Sequence, residues 1–148
     1  MVYFLGTFEY SIDGSNRLNI PAKFRKVMKE LDQTEFVISK EQGNCITMYP
    51  YNIWKERIGD KVSDLSHSDE KANRLRRRLG LNTTEVSLDN QGRVNIPSDY
   101  YIHAGIEKKT RIIGSVDTIQ VWNPCQYEQI SQATEGKSLM EEFKEFGI

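Results

Sequence analysis

The sequence predicts a β-rich fold, all-β or α+β, that is built from two tandem copies of one unit. An internal repeat is the first indication: YSIDGSNRLNIP at 10–21 returns as VSLDNQGRVNIP at 86–97, with six of twelve positions identical. A weaker similarity follows downstream, between CITMYPYNIW at 45–54 and TIQVWNPCQY at 118–127. Self-similarity at a fixed spacing indicates a duplicated structural unit. Apolar and polar residues alternate through these segments, which favours strands.

Each unit opens with a tight turn between two short alternating segments, YSI and LNI in copy one, and this pattern predicts a hairpin. The turn needs a residue that tolerates positive φ. Copy two supplies Gly92 and copy one supplies Asn16, the next-best choice. The aspartates that start the turns, Asp13 and Asp89, are placed to accept hydrogen bonds from turn amides.

A helix is expected after each turn. Pro21 and Pro97 cannot continue a sheet ladder, but they suit the start of a helix. The helix of copy two is short and ends near Gly105. The helix of copy one is longer, because four apolar residues fall on one face: Phe24, Val27, Met28 and Leu31.

Two strands and a closing helix complete each copy. The strands are expected at 35–39 and 45–49 in copy one, and at 110–114 and 118–122 in copy two. Asn52 is expected to open the closing helix of copy one, and Asn123-Pro124 that of copy two.

The segment SHSDEKANRLRRRLGL at 66–81 predicts a linking helix that Ser66 or Ser68 caps and Gly80 ends. The whole chain is then one domain in four parts: an N-terminal repeat at 1–65, the linking helix at 66–80, a C-terminal repeat at 81–133 and a tail at 134–148. The tail is either a weak helix that docks on a neighbour or a mobile terminus.

Composition excludes several classes of protein. The net charge is −1, with 38% hydrophobic and 28% charged residues, as in ordinary globular proteins. Apolar runs fall short of the roughly 20 residues that cross a membrane, and the N-terminus lacks a signal-peptide pattern. A cytoplasmic protein is therefore expected. The two cysteines and two histidines are scattered, and nucleophile or phosphate-loop motifs are missing, which predicts a non-enzyme without metal or cofactor.

Charge is distributed unevenly along the chain. Residues 1–65 are neutral, 66–79 carry a net charge of +3, and 80–148 carry −4. The two turn-helix segments differ as well: residues 13–29 carry +4 and the matching residues 89–105 carry −1. Affinity for a duplex rises with the number of phosphates that basic residues neutralise. The N-terminal copy is therefore expected to face double-stranded DNA.

The doubled Asp-x-x-x-Arg motif, the proline four residues beyond each arginine and the Arg-rich helix between the units resemble the MraZ family, of the AbrB/MazE-type swapped-hairpin proteins. The resemblance covers about residues 3–133. It implies a double-split β-barrel in which two halves interlock about a pseudo-two-fold axis. It also implies a sequence-specific transcriptional regulator of the division and cell-wall gene cluster, including its own gene. Such a regulator assembles into a ring, an octamer or larger, binds short direct repeats in DNA and is associated with the nucleoid.

The DNA-binding residues are expected in copy one. Arg17 is the candidate base reader, because arginine can donate two hydrogen bonds to guanine. The basic residues after it, Lys23, Arg25 and Lys26, are expected to hold phosphates. The family usually has Lys-Gly before the arginine, where this chain has Ser15 and Asn16. That departure is expected to alter base preference or phosphate contacts.

Several alternatives stay open. Arg17 could instead form a local ion pair with Asp13, and Arg93 is assigned to the scaffold on the same ground. The Arg74–Arg78 run could solvate its helix, form salt bridges or face DNA. The repeated aromatic residues favour core packing over base stacking: Tyr49, Trp54, Trp122 and Tyr127. An antitoxin-like, non-catalytic protein-interaction module of the same fold is the alternative function.

Overall fold

The computed structural model describes residues 3–40, 43–134 and 136–148. Its strands are β1 (Thr7–Ser11), β2 (Arg17–Asn19), β3 (Glu35–Ser39), β4 (Ile46–Pro50), β5 (Thr83–Ser87), β6 (Arg93–Asn95), β7 (Lys109–Ser115) and β8 (Thr118–Trp122). Its helices are α1 (Ala22–Glu30), α2 (Tyr51–Trp54), a π-helical turn (Lys55–Gly59), α3 (Asp60–Ser63), α4 (Glu70–Asn82), α5 (Ser98–His103), α6 (Pro124–Thr134) and α7 (Leu139–Glu145).

The strands form a six-stranded antiparallel sheet in the order β1-β7-β8-β4-β3-β5 and a separate two-stranded sheet of β2 and β6. Each repeat supplies strands to both sheets, so the two repeats are interlocked. The β-rich fold of two interlocked repeats is therefore confirmed. Pairing among the described residues is divided between these two sheets, and it is not closed into one ring of strands.

A pseudo-two-fold axis relates the repeats. In the small sheet, Leu18 lies opposite Val94, its own equivalent in the other copy. In the large sheet, Ile46 pairs with Val121 while Met48 pairs with Ile119. These two pairings exchange equivalent residues, so the register agrees with the sequence repeat.

The predicted hairpin needs a correction. The turn at Asp13–Arg17 forms, since the Asp13 N–H donates to the Arg17 carbonyl, yet its two arms do not pair with each other. β1 pairs with β7 and β2 pairs with β6, both from the other repeat. Alternation predicts which side chains face the core, but it does not specify which strand is the partner. A lone two-stranded hairpin is marginal in water, whereas the exchanged pairing lies on a shared core.

That core is continuous through both repeats. Leu18, Val94 and Phe24 are each completely buried. The Phe24 ring packs edge-on against Phe4 and Phe8, with centroids 5.4 and 5.3 Å apart, which holds α1 on the N-terminal segment. The expected apolar face of α1 is confirmed, except that Leu31 is only partly buried.

Three helix ends differ from the expectations. Asn52 lies inside α2, which follows Pro50 directly, and Asp69 instead of Ser66 or Ser68 caps α4. The Asp69 side chain accepts hydrogen bonds from the backbone N–H groups of the first turn of α4. α4 also continues through Gly80 to Asn82. The side chain of Asn123 caps α6 as expected, accepting from the N–H groups of Cys125 and Gln126. Within the tail, Leu139–Glu145 form α7, with Ser138 as its cap.

Leu18→Ala is expected to lower the free energy of unfolding by about 2–5 kcal/mol, because it leaves a cavity where the two repeats meet. Urea unfolding followed by circular dichroism measures the loss. Ile102→Ala is the control, since Ile102 is 77% exposed, and it should change stability by no more than about 0.5 kcal/mol. Similar losses for both variants would contradict a shared core at Leu18.

Candidate nucleic-acid interface

The turn of copy one is organised by one carboxylate. Oδ1 of Asp13 accepts hydrogen bonds from the backbone N–H groups of Ser15, at 2.8 Å, and Arg17, at 2.9 Å. Oδ2 accepts from Nε of Arg17 at 2.8 Å. Asn16 takes the positive φ of 63° that the turn requires, as its sequence position predicts. Asp13 therefore fixes both the turn and the direction of the arginine.

The turn of copy two repeats this arrangement. Oδ1 of Asp89 accepts from the N–H groups of Gln91, at 2.8 Å, and Arg93, at 2.9 Å, and Oδ2 accepts from Nε of Arg93 at 3.0 Å. Gly92 takes the positive φ, at 76°. The local ion pair considered for each arginine is present in both copies. It uses only Nε of the guanidinium, so an arginine of this kind can be held and still present its two terminal nitrogens.

Both aspartates have a lowered pKa. The hydrogen bond from the backbone N–H of Arg17 is the largest cause at Asp13, and the side chain of Arg17 adds a smaller contribution. The backbone N–H of Arg93 plays the same part at Asp89. An aspartate whose pKa is lowered by folding stabilises the folded state at pH values above its ordinary pKa of 3.8. That contribution is lost as the pH falls through the lowered pKa.

β2 and β6 present one polar face outwards. Because side chains alternate along a strand, burial of Leu18 and Val94 directs their neighbours to the opposite side. Arg17 lies opposite Asn95, and Asn19 lies opposite Arg93. We call these four residues the ladder face. Both asparagines are exposed, and the side chains of Arg17 and Arg93 are 38% and 22% exposed.

Sequence reasoning did not assign Asn19 and Asn95 to the site. A usable signal was present, because both positions are identical in the two copies of the repeat. Their outward direction in the ladder depends on the exchanged pairing of β2 with β6. Arg93, assigned to the scaffold from the sequence, does bind Asp89, and it also stands on the ladder face.

The helices contact the turns of the opposite repeats. Arg25 of α1 lies over Gly92, where an added Cβ would come within 2.5 Å of its Cδ, and its Nε donates to the Ile20 carbonyl. The equivalent residue in copy two, Tyr101, donates its hydroxyl to the Asn16 carbonyl at 3.1 Å. The basic helix of copy one therefore borders the turn of copy two. The turn of copy one borders α5 instead, through the Asn16 carbonyl.

The two helices differ in charge. Lys23, Lys26 and Lys29 are exposed on α1. The residue of α5 that matches Lys23 is Asp99, which forms an ion pair with Lys40 at 2.6 Å. That ion pair holds the pKa of Asp99 below its ordinary value. The excess positive charge therefore lies on the α1 side of the ladder face. Pro21 and Pro97 immediately precede α1 and α5, as expected from the sequence.

Two other predicted groups lie elsewhere. Arg76 of the linking helix donates to the Leu65 carbonyl and to Oδ1 of Asn73, so it acts structurally, while Arg74, Arg77 and Arg78 are exposed. The strand aromatics Tyr49 and Trp122 are buried, as core packing requires. Their helical counterparts Trp54 and Tyr127 are half-buried, and the Tyr127 ring packs edge-on against Trp122.

Within the described ranges, His, Cys, Asp and Glu side chains form no group of three or more that could hold a metal ion. A helix long and apolar enough to cross a membrane is also missing from the part of the chain that is described.

Two interlocked repeats, each with an aspartate-held arginine turn, define a tandem swapped-hairpin protein. A family model described as "MraZ protein, putative antitoxin-like" matches residues 3–78 and again 79–146. The chain belongs to the MraZ family, which is a family of transcriptional regulators and not of enzymes.

Relatives named "Transcriptional regulator MraZ" match over nearly their whole length. The protein of Thermomicrobium roseum is 33% identical over 92% of this chain and 94% of its own. The protein of Natranaerobius thermophilus is 31% identical over 98% of this chain and 99% of its own. That of Pediococcus pentosaceus is 29% identical over the same shares. The resemblance inferred from the repeated motif is therefore confirmed.

Arg17→Ala is expected to raise the pKa of Asp13 only part of the way to 3.8, because the backbone N–H of residue 17 still donates to Oδ1. Carboxyl chemical shifts followed by NMR from pH 2 to 6 measure this. The pKa of Asp89 should not change and serves as an internal control. A full return of the Asp13 pKa to 3.8 would mean that the guanidinium, and not the backbone, holds the turn.

Proposed function

We propose that this protein is a sequence-specific, DNA-binding transcriptional regulator. The ladder face carries this proposal. It presents two arginines and two asparagines outwards on a two-stranded ribbon, and a two-stranded ribbon fits the B-DNA major groove. Family membership and the names of the relatives support the regulatory role.

The side chains of the ladder face suit direct readout. Arginine can bind O6 and N7 of guanine with two hydrogen bonds, and asparagine can bind N6 and N7 of adenine in the same way. The ion pair to Asp13 fixes the Arg17 guanidinium through Nε. Among the described residues, its terminal nitrogens make no further hydrogen bond. A pre-oriented arginine loses less side-chain entropy when it binds a base. Arg93 has the same support from Asp89 and acts as the second reader.

The neighbouring basic residues suit the phosphate backbone. Lys23 and Lys26 are exposed on α1 and can each neutralise a phosphate. Arg25 is held over the turn of copy two, where it can support that turn and reach a phosphate beside it. Ser15 and Asn16 occupy the other turn and adjust base preference there. Phosphate contacts of this kind set position, and the ladder face supplies sequence discrimination.

The proposed targets are short direct repeats upstream of the division and cell-wall gene cluster, including the gene of this protein. Several copies of the protein form a ring, an octamer or larger, which is associated with the nucleoid in the cytoplasm. Linked copies raise the effective concentration of each remaining binding surface, so short repeats can bind tightly.

An antitoxin-like protein-binding module is a second candidate, since the family model carries the words "putative antitoxin-like". Gel shifts with DNA from upstream of the gene separate the two functions. Specific retardation that weakens steeply with salt supports the regulator. Equal affinity for that DNA and for scrambled DNA of the same length would favour the protein-binding module.

Arg17→Ala is expected to weaken binding to the specific DNA by about 5- to 150-fold, which corresponds to about 1–3 kcal/mol for a lost guanine contact. Binding to scrambled DNA should change far less. Arg93→Ala should weaken specific binding in the same direction. Fluorescence anisotropy at one fixed salt concentration measures the affinities of the wild type and both variants for the specific and the scrambled DNA.

Arg57→Ala is the matched control, because Arg57 pairs with Asp117 in the β7–β8 turn and lies outside the ladder face. Its affinity should equal that of the wild type. If Arg17→Ala bound the specific DNA as tightly as the wild type, base reading by Arg17 would be wrong.

The double variant Lys23→Ala/Lys26→Ala is expected to weaken binding to the specific DNA and to the scrambled DNA about equally. The slope of log affinity against log salt should fall by about 2, or about 1 for each phosphate contact. Anisotropy titrations from 50 to 300 mM salt measure the slope. Lys61→Ala on α3 is the control. An unchanged slope in the double variant would show that these lysines of α1 do not contact DNA phosphates.

A further inference from the structure

The four residues of the ladder face divide into two halves. Asn19 lies opposite Arg93, and Arg17 lies opposite Asn95, so each half holds one asparagine and one arginine. We call them the Arg93 half and the Arg17 half. The pseudo-two-fold axis exchanges the two halves, and their ladder residues therefore offer DNA the same hydrogen-bonding groups. Any difference between the halves has to come from the elements beside them.

The helix beside the Arg93 half is the basic helix α1. The Ile20 N–H donates to the Gly92 carbonyl at 3.0 Å, and the Ile20 carbonyl accepts from Nε of Arg25 at 3.1 Å. Gly92 is buried beneath the Arg25 side chain, since an added Cβ would lie 2.8 Å from both Nε and Nη1. Among the described residues, the terminal nitrogens of Arg25 make no hydrogen bond. Arg25 is therefore held beside the turn of the Arg93 half with its charge available to a phosphate.

The helix beside the Arg17 half is α5, and it offers no such cation. Tyr101 holds the position of Arg25 in this copy, is buried, and donates its hydroxyl to the Asn16 carbonyl. Burial raises the pKa of Tyr101 above its ordinary value of 10.0, so the phenol is neutral at neutral pH. A phosphate that approaches this turn meets an uncharged, covered side chain.

The first turns of the two helices differ further. Lys23 and Lys26 of α1 are exposed, and neither forms an ion pair with a described residue. Asp99 stands in the place of Lys23 on α5 and pairs with Lys40. The Asp99 side chain is 58% exposed, whereas that of Lys40 is 20% exposed and lies over the Tyr100 ring. The pair is neutral as a whole but exposes its acid more than its base, so α5 offers phosphates no attraction.

We propose that the Arg93 half binds DNA more tightly than the Arg17 half, and that Arg25 is the positioning residue that makes it so. This inference rests on the proposed DNA-binding function and ranks the two readers within it. Phosphate contacts from α1 hold the duplex in register over Arg93. Arg93 is also the more confined arginine, with 22% of its side chain exposed against 38% for Arg17, and it loses less side-chain entropy on binding a base.

The exchange of strands is the reason for this order. In the sequence the basic helix follows Arg17, which favoured copy one as the reader. In the fold the same helix borders the turn of copy two. The tighter half thus combines the turn of one repeat with the helix of the other.

Arg93→Ala and Arg17→Ala in the full chain test the order of the halves. Arg93→Ala is expected to weaken binding to the specific DNA at least about 5-fold more than Arg17→Ala does, since it removes the reader that phosphate contacts support. Each substitution breaks the matching ion pair to an aspartate, so the two are controls for each other. Fluorescence anisotropy at one salt concentration measures the losses, and the Tm of each variant checks its folding. Equal losses, or a larger loss for Arg17→Ala, would overturn the inference.

A double-mutant cycle tests the part of Arg25. Arg25→Gln should reduce the loss caused by Arg93→Ala to about that caused by Arg17→Ala, and it should leave the loss caused by Arg17→Ala unchanged. Arg25→Lys keeps the charge and should preserve most of the difference. A merely structural role would change both losses alike. If both losses stayed as they are in the wild-type background, Arg25 would not be the positioning residue.

Asp99→Asn tests the opposite flank without touching the Arg93 half. It removes the exposed acid and leaves the charge of Lys40, so binding to the specific DNA should strengthen by about 2- to 5-fold and the loss caused by Arg17→Ala should grow. Asp60→Asn on α3 is the matched control, because Asp60 also pairs with a lysine, Lys55, and its affinity should equal that of the wild type. An unchanged affinity in Asp99→Asn would contradict the difference between the two flanks.

Failure of this inference is distinct from failure of the proposed function. A wild type that binds the specific and the scrambled DNA equally would reject the regulator, and the order of the halves with it. A wild type that prefers the specific DNA, and that loses affinity equally through Arg17→Ala and Arg93→Ala, would keep the regulator and reject the order alone.

Discussion

The pairing of β2 with β6 is the interaction on which the rest of the structure depends. It joins residues of the two repeats that are 76 positions apart in sequence, and it buries Leu18 against Val94. Three residues per strand make a weak ladder by themselves. The ladder is stable because it covers a core to which both repeats contribute, so neither repeat completes its own fold.

The same pairing gives the surface its chemistry. Burial of one side of the ladder forces two arginines and two asparagines to the other side, and the two aspartates fix how the arginines point. Because the strands pair between repeats, each helix packs beside the turn of the other repeat. α1 of copy one contacts the turn of copy two through Arg25. Tyr101 of copy two in turn donates a hydrogen bond to the Asn16 carbonyl in the turn of copy one. Symmetry in the backbone thus carries an asymmetry in charge, because Lys23 in one copy is Asp99 in the other.

Most elements could be predicted from the sequence, because their signals are local. The apolar face of α1, the positive φ at Asn16 and Gly92, and the cap at Asn123 all depend on neighbours a few residues away. The errors occurred where several local choices were equally good. Asp69 competed with two serines as the cap of α4, and Gly80 had the character of a stop although the helix continues past it.

The sequence by itself determined the repeat, the family and the residues that make each turn, since these depend on residue type and spacing. The tertiary structure decided which strand pairs with which, and therefore that Asn19 and Asn95 join Arg17 and Arg93 on one face. It also decided that the basic helix borders the turn of the opposite copy. Backbone hydrogen bonds between strands are the same within one repeat and between two repeats. The alternation of apolar and polar residues therefore cannot indicate which strand is the pairing partner. The choice is made by the burial of a core that both repeats share.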